Sequence, residues 1–358
     1  LADTKLKSDD IPSAPVQTQT DTGSSAPETK VSALSSSQRV QVKTDVFDIE
    51  IDTTGADIRR VALLNYPVDV NKDASPVILM NDKSGLFFIS QTGLLSKTAD
   101  SYAPDHNVLY TAEKFAYEIG TDSELKVPFT WTSDDGNFSV TKTYTFKPSS
   151  YAIDVEHSIT NHSGAVWQGH LYRQLQRTNL VDPNASQFIY TYTGAMVSKD
   201  VNGFSKISFE DMIDSDLSQP TKGGWVSMIQ HYFMGAWIPP ENSLENYYSR
   251  VTNKNSSDPH YIIGTVSADM SIADQASHTF KDQLFIGPKL QEQINTLATG
   301  LDSTVDYGFL SVIAHPIYWL LDKIQSVVKN WGWSIIILTI LIKLAFFKLS
   351  ETSYKSMA

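Results

Sequence analysis

Cysteine is absent from the sequence, and this limits the chemistry that the protein can perform. None of the 358 residues is a cysteine, so disulfide frameworks, thiolate metal sites and cysteine nucleophiles are excluded. A net charge of -12 argues against nucleic-acid binding, because phosphate groups are bound by basic faces. Hydrophobic residues make up 41% of the chain, which is enough for a sizeable core without covalent cross-links.

Aromatic residues are also absent before Phe47, and residues 1–38 are rich in Ser, Thr, Pro, Asp and Gln. A segment of this composition buries too little apolar surface to offset the entropy that it loses on ordering. We therefore expect residues 1–38 to form a disordered tether. Because the chain starts at Leu1 rather than at a methionine, we also expect it to be truncated at both ends.

Residues 39–304 alternate between apolar and polar side chains, which is the period of a β-strand. In residues 138–147, for example, Phe138, Val140, Tyr144 and Phe146 lie on one face and hydroxyl side chains on the other. Residues 47–52, in which Asp48, Glu50 and Asp52 form the polar face, and residues 153–160 follow the same pattern. Frequent turn signals and the lack of a glycine fingerprint between strand and helix favour an all-β fold, a large antiparallel β-sandwich.

Two helical segments follow the strands. Residues 305–330 carry an apolar stripe opposite a polar one, which predicts an amphipathic helix at the membrane interface. Residues 331–349 are long and apolar enough to span a bilayer, and Trp331 and Trp333 at their start are typical of an interfacial aromatic belt. Lys348 and Lys355 favour a cytoplasmic location for residues 350–358, where a cytoplasmic segment begins.

Candidate catalytic and metal-binding residues are few. His157, His162 and His170 lack the spacing of a metal site, and His157 shares an apolar strand face, which indicates a core histidine. Asp154 and Glu156 lie on the outward face of a strand, so no acid and base converge as a sugar-converting enzyme requires. We predict no catalytic residue, no cofactor and no metal.

Lys343 is the most informative single residue, since an ammonium group inside a spanning helix costs about 3 kcal/mol on insertion scales. Thr339 lies four residues earlier and therefore on the same helical face. The residues alone leave two interpretations open. Lys343 either faces a polar protein cavity or extends its long side chain to the membrane interface.

Three motifs follow one another in the last part of the chain: Val305-Asp306-Tyr307-Gly308-Phe309-Leu310, Asn330-Trp331-Gly332-Trp333-Ser334-Ile335-Ile336-Ile337 and Tyr354-Lys355-Ser356-Met357-Ala358. In this order they closely resemble the entry to the membrane core of the bacterial YidC insertases. Upstream, residues 42–46, 222–226, 232–233 and 236–239 are similar to the periplasmic domain of the same family; taken individually, their aromatic residues are also compatible with ordinary core packing. The resemblance covers nearly all of the chain after residue 38.

This resemblance implies a mutarotase-like β-supersandwich in the periplasm, an interfacial helix and five core transmembrane helices around a hydrophilic groove, of which only the first helix is present. Lys343 stands where the family has a groove arginine, and Thr339 matches a polar groove residue. Lysine keeps the charge of arginine but not its bidentate fork, so a carboxylate-clamping role is in doubt.

The implied function is that of a membrane protein insertase and chaperone of the bacterial inner membrane, which is not an enzyme. The implied partners are nascent inner-membrane proteins, Sec translocon subunits and the lipid bilayer, with no nucleic acid. Two alternatives stay open. One is a membrane-anchored carbohydrate-binding or sugar-converting sandwich, and the other is a non-catalytic docking module for a translocon subunit.

Overall fold

The computed structural model describes residues 10–12, 36–69, 71, 74–83, 87–98, 101–179, 192–199, 203–305 and 311–357. Two compact units are present, Leu1–Thr304 and Val305–Ala358. Most of the predicted tether, residues 1–9 and 13–35, lies outside the described residues, as do residues 306–310 at the start of the predicted amphipathic segment.

The first unit is built from two β-sheets. We number its strands β1 to β20 in chain order. The larger sheet has 11 strands, in the order β14-β17-β18-β11-β5-β3-β2-β1-β7, with β19 added beside β11 and β4 beside β3. Its strands are β1 Arg39–Lys43, β2 Phe47–Asp52, β3 Asp57–Pro67, β4 Pro76–Met80, β5 Phe88–Ser96, β7 Ala116–Glu118, β11 Trp167–Thr178, β14 Ser218–Lys222, β17 Leu244–Thr252, β18 His260–Ser267 and β19 Met270–Ile272.

The smaller sheet has nine strands, in the order β13-β12-β15-β16-β20-β10-β9-β8-β6. Its strands are β6 Thr111–Ala112, β8 Leu125–Thr132, β9 Phe138–Phe146, β10 Ala152–Asn161, β12 Gly194–Lys199, β13 Gly203–Ile207, β15 Val226–Ile229, β16 Phe233–Ile238 and β20 Ala276–Pro288. The described residues of this unit also include helix α1 (Phe209–Asp214), helix α2 (Gln291–Ile294) and a 3-10 turn (Leu301–Thr304).

The two sheets pack face to face around one apolar interior. Leu94 and Leu171 of the larger sheet form a buried cluster with Phe138, Val140 and Ile159 of the smaller sheet. Neighbouring strands are antiparallel, as the register of β10 between β9 and β20 illustrates, whereas β1 and β7 pair in parallel. The predicted all-β sandwich is therefore confirmed.

Asp52 and Lys142 are charged residues that are buried in these strands. Asp52 belongs to the predicted polar face of β2, yet it is buried. Arg39 lies 3.0 Å from its carboxylate, and Ser36 and Thr54 donate hydrogen bonds to it. Lys142 lies in β9 on the same face as the buried aromatics and is fully buried with them. Both charges are stable inside the fold because a partner compensates for their desolvation.

In the part of the second unit that the structure describes, helices α3 (Ser311–Val328) and α4 (Trp331–Met357) pack together. Lys329 has a φ of +53° between them, a left-handed conformation of the kind that ends helices. Asn330 then caps α4, because its side-chain oxygen accepts a hydrogen bond from the Trp333 amide at 3.2 Å. Lys329 and Asn330 thus produce the sharp turn between α3 and α4.

Candidate functional site

Lys343 and Thr339 both lie on α4, one helical turn apart and exposed. The Thr339 hydroxyl donates to the Ile335 carbonyl at 2.7 Å, as threonine commonly does inside a helix. Among the described residues, Trp331–Lys348 is the one segment long and apolar enough to cross a membrane. The predicted polar pair therefore sits within a membrane-length apolar helix.

Helix α3 exposes large apolar side chains. The exposed residues are Ile313, Ile317, Trp319 and Val327. The hydroxyl of Ser326 donates a hydrogen bond to the Lys323 carbonyl at 2.8 Å. Exposed apolar surface on this scale marks an interaction with a membrane or a protein. The helix therefore carries an unburied apolar surface beside α4.

A buried ion-pair network lies between the two sheets, and the sequence analysis missed it. Arg173 of β11 lies 2.9 Å from Glu245 of β17 and 2.8 Å from Asp282 of β20. Thr265 donates a further hydrogen bond of 2.6 Å to Glu245. Burial raises the pKa of Asp282 to about 6 although the Arg173 charge opposes this shift. One cation thus compensates two carboxylates that water does not reach.

The position of these charges in their strands is the signal that could have revealed them. Glu245 alternates in phase with buried Tyr247, and Asp282 alternates in phase with buried Leu284. A cavity of about 440 Å³ borders the network and is lined by Arg173 and Glu245, among others. Arg173 and Glu245, the two members of the network that line the cavity, are already engaged with each other in an ion pair.

A second buried charge network surrounds Lys142. Its ammonium donates to the Gly55 carbonyl at 2.5 Å and lies 3.8 Å from Asp57, which is itself 3.4 Å from Arg59. Burial lowers the pKa of Lys142 to about 8, against the opposing attraction of Asp57. These groups fix the β2–β3 turn and have no exposed member, which is the arrangement of a structural network.

The three histidines that we considered in the sequence occupy different environments. His157 is buried and its Nε2 lies 2.9 Å from the Thr92 hydroxyl, and burial lowers its pKa well below the usual range. His170 pairs with Asp269 at 3.1 Å, and His162 is exposed. Over the described ranges, no three His, Asp or Glu side chains form a group suited to a metal ion. His157 is a core histidine, as its strand phase predicts.

Asp154 and Glu156 point away from the core. Asp154 lies 2.6 Å from Lys147, and Glu156 lies 3.0 Å from Lys281, in pairs that are partly exposed. Their outward placement agrees with the sequence pattern.

The Gly223-Gly224-Trp225 motif builds a tight corner beside a cavity of about 680 Å³. Both glycines have positive φ, +59° and +79°, where a side chain is strained. A Cβ on Gly224 would lie 2.0 Å from the Ser198 Oγ. That hydroxyl accepts a hydrogen bond from the Trp225 amide at 2.9 Å. Trp225 itself is fully buried, so this family-like motif has a packing role.

Residues 39–320 match the family model of the YidC periplasmic domain. The chain belongs to the YidC periplasmic domain family. This confirms the resemblance to bacterial YidC insertases that the sequence motifs indicate. The YidC match and the apolar segment in α4 together support a location at the bacterial inner membrane.

Relatives named membrane protein insertase YidC are similar over most of this chain. The protein of Thioalkalivibrio sulfidiphilus is 41% identical over 98% of this chain and 62% of its own length. That of Alkalilimnicola ehrlichii is 42% identical over 90% of this chain and 56% of its own length. The chain therefore spans about three-fifths of these YidC relatives.

A solved structure of a galactose mutarotase related enzyme from Lactobacillus acidophilus is also similar, with a TM-score of 0.47 and 10% identity. The likeness covers 70% of this chain and 97% of that one. A likeness of this size carries no conclusion about a ligand or an activity for the YidC domain.

Proposed function

We propose that this chain is the periplasmic domain and first core helix of a membrane protein insertase and chaperone. The observation that carries the proposal is the family match over residues 39–320, followed by a membrane-length helix with a charge inside it. In such a protein a polar, hydrated groove lowers the cost of moving the hydrophilic part of a substrate into the membrane. The apolar parts of the substrate then partition into lipid.

Lys343 and Thr339 form the part of the groove wall that this chain supplies. Lys343 within the span costs about 3 kcal/mol in lipid unless water or a counter-charge compensates it. The helix presents the exposed side chains of Leu341 and Leu344 away from Lys343, and these are compatible with lipid. A helix with one polar face and apolar surroundings is suited to line a groove that is open to lipid.

The membrane arrangement is part of the same proposal. Residues 331–349 span the bilayer, residues 305–330 lie along its outer interface, and residues 39–304 face the periplasm. Exposed Trp331 and Trp333 at the start of α4 support an interfacial position for that end. Protease added to intact spheroplasts is expected to digest the β domain. Digestion only after lysis contradicts this topology.

The β domain is proposed to have no catalytic activity. The buried carboxylates Glu245 and Asp282 are engaged with Arg173, and Asp154 and Glu156 pair with surface lysines. A sugar-converting site needs an acid and a base that reach a ligand. Aldose mutarotation assays on the purified chain should therefore give the uncatalysed rate. A faster rate that Asp282→Asn abolishes contradicts this prediction.

The proposed partners are nascent inner-membrane proteins and subunits of the Sec translocon. Complementation tests the insertase function most simply. The complete gene product is expected to restore inner-membrane protein insertion in a bacterium depleted of its own insertase, whereas residues 1–358 alone are expected to fail. Failure of the complete protein, once it is present in the membrane at normal levels, contradicts the proposed function. Co-purification of Sec subunits with the complete protein tests the translocon partnership separately.

A further inference from the structure

The outer face of the larger sheet, on the side away from the smaller sheet, is covered in part by a distant piece of the chain. On this face Tyr172 of β11 lies opposite Gly93 of β5 on one side and opposite Val266 of β18 on the other. Strand β17 pairs with β18 and extends the same face. Ile11 packs here and is only 8% exposed. Its apolar neighbours are Leu95, Tyr172, Tyr248, Ile262 and Val266.

Two glycines let the tyrosine rings lie flat along the sheet. A Cβ on Gly93 would lie 2.6 Å from the Tyr172 hydroxyl, and a Cβ on Gly264 would lie 2.6 Å from the Tyr248 hydroxyl. Each ring thus covers a glycine on a neighbouring strand, as aromatic residues often do in sheets. The result is a smooth aromatic floor beneath Ile11.

Polar groups at the edge of this floor contact the same segment. His106 Nε2 lies 2.9 Å from the Asp10 carboxylate, while its Nδ1 lies 2.6 Å from the Tyr172 hydroxyl. Arg250 donates a hydrogen bond of 2.9 Å to the Ile11 carbonyl. His106 is fully buried. Burial lowers its pKa, but the hydrogen bond and charge of Asp10, together with the charges of Asp57 and Asp105, raise the pKa above its ordinary value. The face therefore recognises a carboxylate, an aliphatic side chain and a main-chain carbonyl.

Covalent connection does not force Asp10–Pro12 onto this face. Residues 13–35 separate it from Ser36, where the described chain resumes, and an extended chain of that length reaches on the order of 80 Å. The contacts themselves must therefore select this position. Ile11 also precedes Pro12, and a residue before proline is biased toward an extended conformation, which reduces the entropy lost on docking.

We propose that His106, Arg250 and the aromatic floor form a peptide-binding site whose resident ligand is the chain's own Asp10-Ile11-Pro12. The class of ligand is an extended peptide with an acidic residue, a branched aliphatic residue and proline in that order. Docking in cis gives the segment an effective concentration in the range of about a millimolar, so modest intrinsic affinity keeps the site filled. This inference concerns the β domain and does not depend on the insertase proposal.

Histidine NMR on the full chain tests the proposal, with selectively 13C-labelled histidine and His106→Gln to assign the signal. Asp10→Asn removes the carboxylate, and Ile11→Asn removes the apolar anchor without adding charge. Both changes leave Asp57 and Asp105, the other carboxylates that raise the His106 pKa, in place. Both are expected to shift the His106 pKa downward, whereas the matched charge change Asp3→Asn should leave it unaltered. An unchanged His106 pKa in both variants overturns the docking.

A peptide added in trans tests whether the segment is a separable ligand. A synthetic peptide with the sequence of residues 8–14, added at millimolar concentration to the Ile11→Asn variant, should shift the His106 pKa upward again. The same peptide with asparagine in place of its second aspartate is the control. No upward shift at the highest soluble concentration overturns recognition of this sequence as a ligand.

Discussion

Arg173 and Asp282 come from different sheets and meet between them, with the Arg173 Nε 2.8 Å from the Asp282 carboxylate. Arg173 also holds Glu245 of its own sheet at 2.9 Å. All three side chains are almost completely buried. The sheets are thus joined by a charged contact inside the fold, and the contact is stable only while every charge has its partner.

Arg173→Met should therefore destabilise the β domain strongly. The variant leaves two buried carboxylates without a cation, and breaking a buried pair in this way costs about 3–5 kcal/mol. Urea unfolding of the chain in detergent micelles, followed by near-ultraviolet circular dichroism, measures the loss. Lys281→Met breaks the partly exposed pair with Glu156 and should cost less than about 1 kcal/mol. Equal losses in the two variants contradict the assigned role of Arg173.

The raised pKa of Asp282 predicts a specific pH dependence of stability. Its pKa rises from 3.8 to about 6 on folding, so the folded state holds this proton longer than the unfolded state. The resulting stabilisation is complete below pH 3.8 and disappears as the pH rises through about 6, a change on the order of 3 kcal/mol. Asp282→Asn cannot titrate. The difference in the free energy of unfolding between the parent and Asp282→Asn should therefore change with pH, because the parent loses stability between pH 4.5 and pH 7. A difference that stays constant over this range contradicts the raised pKa of Asp282.

Gly224→Ala tests the corner that precedes Trp225. The residue has a φ of +79° and its added Cβ would lie 2.0 Å from the Ser198 Oγ, so both backbone strain and overpacking apply. Together these are worth on the order of 2–4 kcal/mol. Gly136 has a similar φ of +74° but open space around it. Gly136→Ala should cost about 1–2 kcal/mol, and the difference between the two melting temperatures isolates the steric effect.

Spin labels on α3 test its position at the membrane. Ile317 and Ser326 are nine positions apart, which places them on opposite sides of an α-helix, and both are exposed in the structure. In lipid vesicles a label at Ile317 should be accessible to oxygen and a label at Ser326 to a water-soluble relaxation agent. The absence of native cysteine makes each introduced label unique. Similar accessibility at both positions argues against an interfacial helix.

The strands were predictable from local pattern alone. Segments such as β10 alternate strictly between buried and half-exposed residues, and an antiparallel sandwich with one covered face produces this alternation. The same reasoning places His157 in the core. The pattern also places the charged residues Lys142, Glu245 and Asp282 in the inward phase of their strands, and a charge in that phase indicates a buried network.

The partners of those charges were not predictable from local pattern. Arg173 and Glu245 are 72 positions apart in the chain, and they meet only because β17, β18 and β11 are neighbours in the sheet. The contact of Asp10 with His106 spans 96 positions. Pairings of this kind depend on the topology of the sheets, which a single sequence does not specify.

The polar face of α4 was predictable for a different reason. A lysine within an apolar run is costly in lipid wherever the rest of the protein lies, so Lys343 stands out without any tertiary information. Its partners in a groove belong to other helices of the proposed insertase, and α4 alone does not identify them.

An insertion assay on the complete protein with Lys343 replaced tests the central claim most directly. If Lys343 faces a hydrated groove, Lys343→Leu impairs insertion of a substrate protein and Lys343→Arg restores much of it, because arginine keeps the charge. Leu341→Ile, on the opposite and exposed side of the same helix, serves as the neutral control. We expect insertion activity to be highest in the parent, lower in Lys343→Arg and lowest in Lys343→Leu. Full activity of Lys343→Leu, at a normal level of protein in the membrane, contradicts the proposal that Lys343 faces a groove. It supports the alternative that the Lys343 side chain extends to the membrane interface.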